Sequence, residues 1–256
     1  MAKCIIESIG FSATTSISKA LEFGGLNYVT HGARNFNAPV AIGLADLPIA
    51  EFLRQMNTCS TDYANAIAVH CIYNLEELQQ ETKDTDIALL GLCRRDQKRQ
   101  ILSCFYWAIN NLMTGREDAL RLLVQKYQSF DGLFKQCKLK SNLITHFLLY
   151  SAERVVDYNL QLINKTNSII LMEDFIESPY EHATKLGLTG IEGKNISVPE
   201  SNSHNKKASK YEFLAGAEKD LDAILGILRF SYNGQNVSIA EVENLLHQNS
   251  LMSQAT

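Results

Sequence analysis

Short apolar runs alternate with helical patterns along most of this chain, and this alternation constrains the fold more than any other feature of the sequence. Apolar runs bounded by turn residues are typical of buried strands, and a 3.6-residue apolar period is typical of helices that cover a sheet. We predict strands near residues 3–9, 27–31, 65–71, 86–93 and 168–173. The expected fold class is therefore α/β, a single domain over residues 1–256 with a parallel β-sheet flanked by helices.

The helical patterns fill most of the chain between and after these strands. The predicted helices lie near residues 14–24, 47–57, 74–82, 99–113, 117–128, 130–137, 141–163, 179–186 and 216–230. Residues 190–211 are instead rich in Gly, Ser, Asn and Lys, which indicates a mobile loop. Loops of this length inside a domain are either functional or inert linkers, and the sequence leaves both alternatives open.

Composition excludes several classes of function. The formal net charge is −4 and hydrophobic residues make up 46% of the chain, so neither a nucleic-acid surface nor extended disorder is expected. The six cysteines include no Cys-x-x-Cys pair, which favours reduced thiols over disulfides or a metal site. Since no membrane-spanning apolar run or signal peptide is visible, we predict a cytoplasmic protein without a membrane partner. A homodimer is compatible with the sequence.

The first candidate anion site is the hydroxyl-rich turn between the first predicted strand and the following helix. It contains Gly10, Ser12, Thr14 and Thr15. Backbone N–H groups and hydroxyls meet there at a helix N-terminus, where the helix dipole also favours a phosphate or a sulfate. The turn lacks the second Gly and the Lys of a Walker A loop, which disfavours a P-loop kinase. The alternative is that these hydroxyls only cap the helix.

A second candidate anion site follows the fourth predicted strand. Arg94 and Arg95 come directly after this apolar run, and Ser103 lies two turns into the next predicted helix. A guanidinium and a hydroxyl with this spacing can converge on one phosphate. The alternative is that the arginines belong to a solvated basic face.

The two segments together resemble the cytosolic-type sulfotransferase family, and the order and rough separations of the motifs agree over residues 3–190. Residues 10–15 align position by position with the family's 5′-phosphosulfate loop, which reads roughly Pro-Lys/Arg-Ser-Gly-Thr-Thr. The family's 3′-phosphate motif is an Arg-Asp after a strand with a Ser eight residues beyond the Arg. Arg95, Asp96 and Ser103 reproduce that spacing.

Two further segments are similar to the same family. Residues 169–188 resemble its Tyr-Glu-Asp-Leu strand, its Pro-initiated helix and the Leu-Gly-Leu that closes this helix. Residues 66–70 resemble the Lys-Thr-His strand end that carries the family's catalytic base, so the resemblance makes His70 that base. A lone histidine at a strand end is otherwise usually structural, and His31 is the next candidate for the base.

The resemblance implies a P-loop-like fold and a sulfotransferase that uses 3′-phosphoadenosine 5′-phosphosulfate (PAPS). Such an enzyme moves the sulfuryl group in line to a hydroxyl or an amine of a small-molecule acceptor, with His70 as the base and without a metal. The implied donor-binding residues are Ser12, Ala13, Thr14 and Thr15 at the phosphosulfate, Arg95 and Ser103 at the 3′-phosphate, and Lys206 and Lys207 in the 190–211 loop.

Three departures from the family's pattern bear on activity, and one is Ala68 in place of the Lys that often lies two residues before the family's catalytic His. Phe11 stands where the family has the Lys or Arg that neutralises the leaving phosphate, and Arg34 is the candidate to supply this charge instead. The alternative is that Arg34 is an ordinary surface arginine. Ala13 replaces the family's Gly, which is tolerable only if its φ stays below zero. The alternative function is that of a degenerate member, which binds the nucleotide or a partner protein without catalysing transfer.

Overall fold

A five-stranded parallel sheet is the main element of the computed structural model, which describes residues 2–22, 27–31, 48–58, 63–71, 73–114, 131–199 and 212–253. The strands are β1 (Lys3–Glu7), β2 (Asn27–His31), β3 (Asn65–Val69), β4 (Ile87–Cys93) and β5 (Ser168–Leu171). Their order is β2-β3-β1-β4-β5, and all neighbours are parallel. The predicted α/β class with a parallel sheet flanked by helices is confirmed.

Helices lie between the strands and after them, as the alternation predicts. They are α1 (Thr14–Leu21), α2 (Ile49–Thr58), α3 (Leu75–Thr82), α4 (Gln97–Met113), α5 (Asp131–Gln136), α6 (Leu143–Lys165), α7 (Met172–Glu177), α8 (Pro179–Lys185), α9 (Ala217–Ile227) and α10 (Ile239–Gln248). The helix predicted near 117–128 falls outside the described residues. In the part of the chain that the structure describes, no helix is both long and apolar enough to cross a membrane.

The described residues divide into two compact units. The first unit comprises Met1–Arg95, Gln161–Ser201 and Leu245–Thr256, and the second comprises Asp96–Leu160 and Asn202–Asn244. All five strands of the parallel sheet therefore belong to the first unit.

Apolar clusters cover both faces of the sheet in the first unit. Cys4 and Ile6 of β1 belong to one cluster and Ile5 to the other, because successive strand residues alternate between faces. The first cluster includes Ile17 of α1, and the second includes Phe52 of α2. All five side chains are at most 1% exposed. This two-sided burial fixes the strand register, since a slip of one residue would exchange the faces.

The outer edge of β5 is covered by chain that follows α10. The Ile169 N–H donates to Asn249 O at 2.9 Å, and the Leu251 N–H donates to Ile169 O at 2.7 Å. Ile169 and Ser250 thus form a parallel bridge. Both backbone groups of Ile169 on this edge are therefore paired, which protects the middle of the strand from pairing with another chain.

The second unit contains an element that the sequence analysis misassigned. The helix predicted over 216–230 is shorter than expected, and a hairpin of β6 (Phe230–Tyr232) and β7 (Gln235–Val237) follows it. The turn residues Asn233 and Gly234 have φ values of 49° and 78°, the left-handed conformation that a two-residue hairpin requires. The Asn-Gly signal is present in the sequence, but the flanking strands are too short to show a period.

Helices α7 and α10 are absent from the sequence prediction. A strand was predicted over 168–173, but Leu171 pairs with Cys93, where β4 ends, so β5 has no partner beyond it and the chain turns into α7. Helix α10 begins with a capping box, in which the Ser238 N–H donates to Glu241 Oε2 at 2.7 Å and the Glu241 N–H donates to Ser238 Oγ at 3.4 Å. Ser-x-x-Glu before an apolar run is a helix-start pattern that the sequence carries at Ser238 and Glu241.

Candidate active site

The candidate site lies at the carboxyl edge of the sheet in the first unit. β1 lies between β3 and β4 in the middle of the sheet. The connection after β1 leads to β2 at one edge of the sheet, whereas the connection after β4 leads to β5 at the opposite edge. Open parallel sheets bind ligands outside the carboxyl ends of the strands where connections diverge in this way. At this edge β1 is followed by the loop of residues 8–13, β3 by His70 and β4 by Arg94.

The backbone of loop 8–13 has an unusual conformation. The φ value is 93° at Gly10, 63° at Phe11 and 54° at Ala13. The condition that Ala13 keep φ below zero is therefore not met, and this expectation is wrong. A left-handed conformation costs a non-glycine residue roughly 1–2 kcal/mol, so Phe11 and Ala13 are both strained. Ala13 in the left-handed conformation and Thr14 in the helix are neighbours of opposite handedness, an arrangement that directs successive N–H groups into a concavity that suits an anion.

Hydrogen bonds from both sides hold this loop. The Gly10 N–H donates to Ser8 Oγ at 3.0 Å, and Ser12 Oγ donates to Gly10 O at 3.3 Å. From the end of β4, Arg94 Nε donates to Phe11 O at 2.8 Å. Arg94 therefore places a guanidinium beside the residue that stands where the sulfotransferase family has its cation.

Helix α1 begins directly after the loop, with Ala13 as its N-cap. Ala13 O accepts the N–H groups of Ser16 at 2.9 Å and Ile17 at 3.0 Å. The N–H groups of Thr14 and Thr15 come earlier in the helix, and neither has an acceptor among the residues that the structure describes. These two donors are available to an anion at the positive end of the helix dipole.

The structure brings Ser12, Ala13, Thr14 and Thr15 together at this helix start, but their hydroxyls differ in exposure. Ser12 is buried, with its hydroxyl bonded inside the loop. Thr14 is also buried, and its Oγ1 hydrogen-bonds to His31 Nε2 at 2.9 Å. The Thr15 side chain is exposed. The backbone of this segment is therefore better placed to bind an anion than its buried hydroxyls.

Glu7, the final residue of β1, is fully buried. Its Oε1 accepts the Ser8 N–H at 3.0 Å, and its Oε2 accepts the Cys71 N–H at 3.1 Å. Oε1 also lies 3.6 Å from His70 Nδ1. Because a buried carboxylate is costly without such partners, these contacts explain how the charged side chain is retained inside the unit.

His70 is oriented by the loop that follows β1. Its Nδ1 lies 2.6 Å from Ser8 O, which only accepts, so Nδ1 carries a proton. In the neutral ring Nε2 is then unprotonated, which is the form that a general base requires. A Cβ placed on Gly10 would lie 4.0 Å from Nε2, so the loop passes directly beside this atom. The φ of His70 is 57°, a strain of the kind that clusters at functional sites.

The pKa values of the two histidines at this edge shift in opposite directions. Burial alone would lower the pKa of His70, but the hydrogen bond and charge of Glu7 and the Ser8 carbonyl outweigh it and raise the pKa. Burial, and then the charge of His70, lower the pKa of His31 to about 4. The ring centroids are 6.0 Å apart. His70 is thus better suited than His31 to take a proton near neutral pH.

Arg95 is bound by residues that follow β5. Its guanidinium forms an ion pair with Asp174, and its backbone N–H donates to Glu173 Oε2 at 2.7 Å. Ser103 lies in α4, which belongs to the second unit, whereas Arg95 belongs to the first. Their convergence on one phosphate stays a prediction. Arg94, and not Arg95, makes the contact with the loop after β1.

Three predicted site residues, Arg34, Lys206 and Lys207, fall outside the described residues, and their roles stay predictions. Of the 190–211 loop, residues 190–199 are described and contain no helix or strand. Within the described ranges, no group of three or more His, Cys, Asp or Glu side chains is placed to hold a metal ion.

Sequence reasoning missed Glu7 and the loop contact of Arg94. The signal for Glu7 was a single charged residue at the end of an otherwise apolar strand, where its side chain faces the interior. The sequence offers no signal that distinguishes Arg94 from Arg95, because both residues lie beyond the end of β4 at Cys93.

Comparisons with known proteins do not assign this chain to a family. No model of a known protein family matches the chain, and no curated protein matches it significantly. Functional conclusions therefore rest on the arrangement of loop 8–13, His70 and Glu7.

Proposed function

We propose that this chain is a cytoplasmic PAPS-dependent sulfotransferase that acts on a hydroxyl or an amine of a small-molecule acceptor. The observation that carries the proposal is the position of His70 Nε2 beside a strained anion-binding loop at a helix N-terminus. The strand order β2-β3-β1-β4-β5 is compatible with the P-loop-like fold that the sequence resemblance implies.

The groups around loop 8–13 fit the phosphosulfate end of the donor. The N–H groups of Thr14 and Thr15 have no acceptor among the described residues and can donate to the phosphosulfate. Arg94 supplies a charge-assisted donor beside Phe11. At the other end of the donor, Arg95 and Ser103 remain the proposed ligands of the 3′-phosphate. Arg95 must exchange its ion pair with Asp174 for the phosphate to serve in this way.

The proposed reaction is an in-line displacement at sulfur. Bound PAPS supplies the sulfuryl group. His70 Nε2 takes the proton from the acceptor while the new bond to sulfur forms and the bond from sulfur to the bridging oxygen breaks. The N-terminus of α1 and the Arg94 guanidinium stabilise the negative charge that develops on the leaving phosphate.

A binding protein without transferase activity is the second candidate. Phe11 favours it, because an uncharged side chain stands where the leaving phosphate needs a cation. The ion pair of Arg95 with Asp174 also favours it, because a proposed donor ligand is engaged elsewhere. The two candidates agree on nucleotide binding and differ on transfer.

Calorimetry with adenosine 3′,5′-bisphosphate and with magnesium-ATP tests the binding that both candidates share. We expect the bisphosphate to bind at least about tenfold more tightly, because recognition rests on separated anion sites and not on a triphosphate cradle. Thr15→Pro removes one free N–H in the first turn, where proline is tolerated, and should weaken binding about tenfold relative to Thr15→Ala. Equal affinity for the two nucleotides would overturn the proposal.

A transfer assay with radiolabelled PAPS and a panel of hydroxyl and amine acceptors separates the two candidates. Label transfer by the wild type supports the sulfotransferase. A wild type that binds the nucleotide but transfers nothing, together with a Phe11→Lys variant that gains transfer, supports the degenerate binding protein. Phe11→Leu is the matched control, because it changes the same side chain without restoring a charge.

A further inference from the structure

The buried carboxylate of Glu7 has no counterpart in the motifs that led to the proposed function. Removing a carboxylate from water costs several kcal/mol unless its partners compensate. Glu7 is nevertheless fully buried at the end of β1, next to the candidate base.

The contacts of Glu7 are arranged around His70. The carboxylate accepts the N–H of Ser8, which follows it on β1, and the N–H of Cys71, which follows His70 after β3. It therefore joins the two chain segments on either side of the imidazole. Nδ1 of the ring faces two acceptors, Ser8 O at 2.6 Å and Glu7 Oε1 at 3.6 Å.

We propose that Glu7 is a positioning residue for the proposed sulfuryl transfer, acting through His70 in a Glu7–His70 dyad. The carboxylate and the Ser8 carbonyl keep the proton on Nδ1, so Nε2 stays unprotonated beside loop 8–13. When Nε2 takes the acceptor's proton, the ring becomes an imidazolium, and the fixed negative charge of Glu7 stabilises it. Glu7 itself takes no proton, which is the logic of the acidic member of a Ser-His-Asp triad. This inference rests on the proposed function.

Among the described titratable groups around the dyad, Glu7 is the group that supplies a negative charge to His70. Cys71, which follows His70 after β3, has a buried thiol whose pKa is raised by burial and by Glu7, and burial raises the pKa of Cys4 of β1 to about 12. Both thiols are therefore neutral. His31 faces the ring from β2, and Arg94 contacts the loop from the β4 side.

An NMR titration of the histidine ring nitrogens tests the dyad without any need for catalysis. In the wild type we expect Nδ1 of His70 to carry the proton in the neutral ring. In Glu7→Gln the pKa of His70 should fall, because the carboxylate charge is gone. A wild type with the proton on Nε2 overturns the inference even if Glu7→Gln does not fold, and so does an unchanged His70 titration in a folded variant.

Kinetics of Glu7→Gln then test the role in transfer. We expect kcat to fall about 100-fold, the acidic limb of the kcat profile to move to lower pH, and adenosine 3′,5′-bisphosphate affinity to stay within about twofold. Glu243→Gln is the control, because this partly buried carboxylate also accepts a backbone N–H, from Gln97 at 3.0 Å. It should leave kcat and its pH profile unchanged. If Glu7→Gln keeps the kcat and the pH profile of the wild type, the inference about Glu7 is overturned and the proposed function stands. If the wild type itself transfers nothing, the proposed function is overturned.

Discussion

At the scale of single residues, the carboxyl ends of β2 and β3 present two histidines in contrasting surroundings. His31 is desolvated by burial and lies near the charge of His70, whereas His70 lies beside the buried carboxylate of Glu7. The protonated form is therefore disfavoured at His31 and favoured at His70. This contrast gives each histidine a separate effect on stability as the pH changes.

The free energy of unfolding should decrease as the pH falls from about 6.5 to about 4, because His31 then binds a proton in the unfolded state but not in the folded one. His31→Gln should remove this part of the pH dependence. His70 acts in the opposite sense, since its raised pKa gives stability that is present at low pH and is lost as the pH rises through the folded pKa. Urea denaturation between about pH 4 and pH 6.5 measures the effect of His31, and the same measurement above about pH 6.5 measures that of His70. An unchanged pH dependence below pH 6.5 in His31→Gln contradicts the assignment.

At the scale of elements, the junction between β1 and α1 combines strain with an available helix terminus. Phe11 and Ala13 have positive φ, and the N–H groups of Thr14 and Thr15 have no acceptor among the described residues. A strained segment persists only where surrounding contacts determine its conformation. The bond from Arg94 to Phe11 O and the internal loop bonds provide such contacts here.

Ala13→Gly should raise the free energy of unfolding by up to about 1 kcal/mol, because glycine adopts a φ of 54° without a Cβ clash. Ala20→Gly is the matched control in the same helix. Since Ala20 is buried inside α1, its loss should lower the free energy of unfolding by about 1 kcal/mol. Urea denaturation of both variants decides the matter. A destabilised Ala13→Gly contradicts the strain assigned to this position.

At the scale of the whole molecule, the apolar runs predicted the sheet because each strand is buried on both faces. All five predicted strands exist, although most are shorter than their apolar runs. The contact of Glu7 with Cys71 joins residues 64 positions apart, and no local pattern reports such a distance. The same holds for Arg94 and Phe11, 83 positions apart. The candidate anion loop was predicted from local residue types, whereas the groups that orient His70 became visible only in three dimensions.

Close packing at Gly91 of β4 yields a further prediction. A Cβ at Gly91 would lie 2.6 Å from Ile169 Cδ1 and 3.1 Å from Leu162 Cβ. Gly91→Ala should therefore lower the free energy of unfolding by about 1–3 kcal/mol. At Gly132 of α5 a Cβ would meet nothing within 4 Å, so Gly132→Ala should raise the free energy of unfolding by up to about 1 kcal/mol. Thermal and urea denaturation provide the comparison, and equal stabilities of the two variants contradict this packing.

The covering of β5 by the segment after α10 has a consequence for synthesis on the ribosome. Ser168 of β5 and Asn249 are 81 positions apart, so the strand emerges well before the backbone that protects its outer edge. At translation rates of about 5–20 residues per second, this edge waits roughly 4–16 s for its cover. During that interval a nascent chain presents unpaired strand backbone to its neighbours on the same polysome. Early termination between β5 and α10 would make this vulnerability permanent.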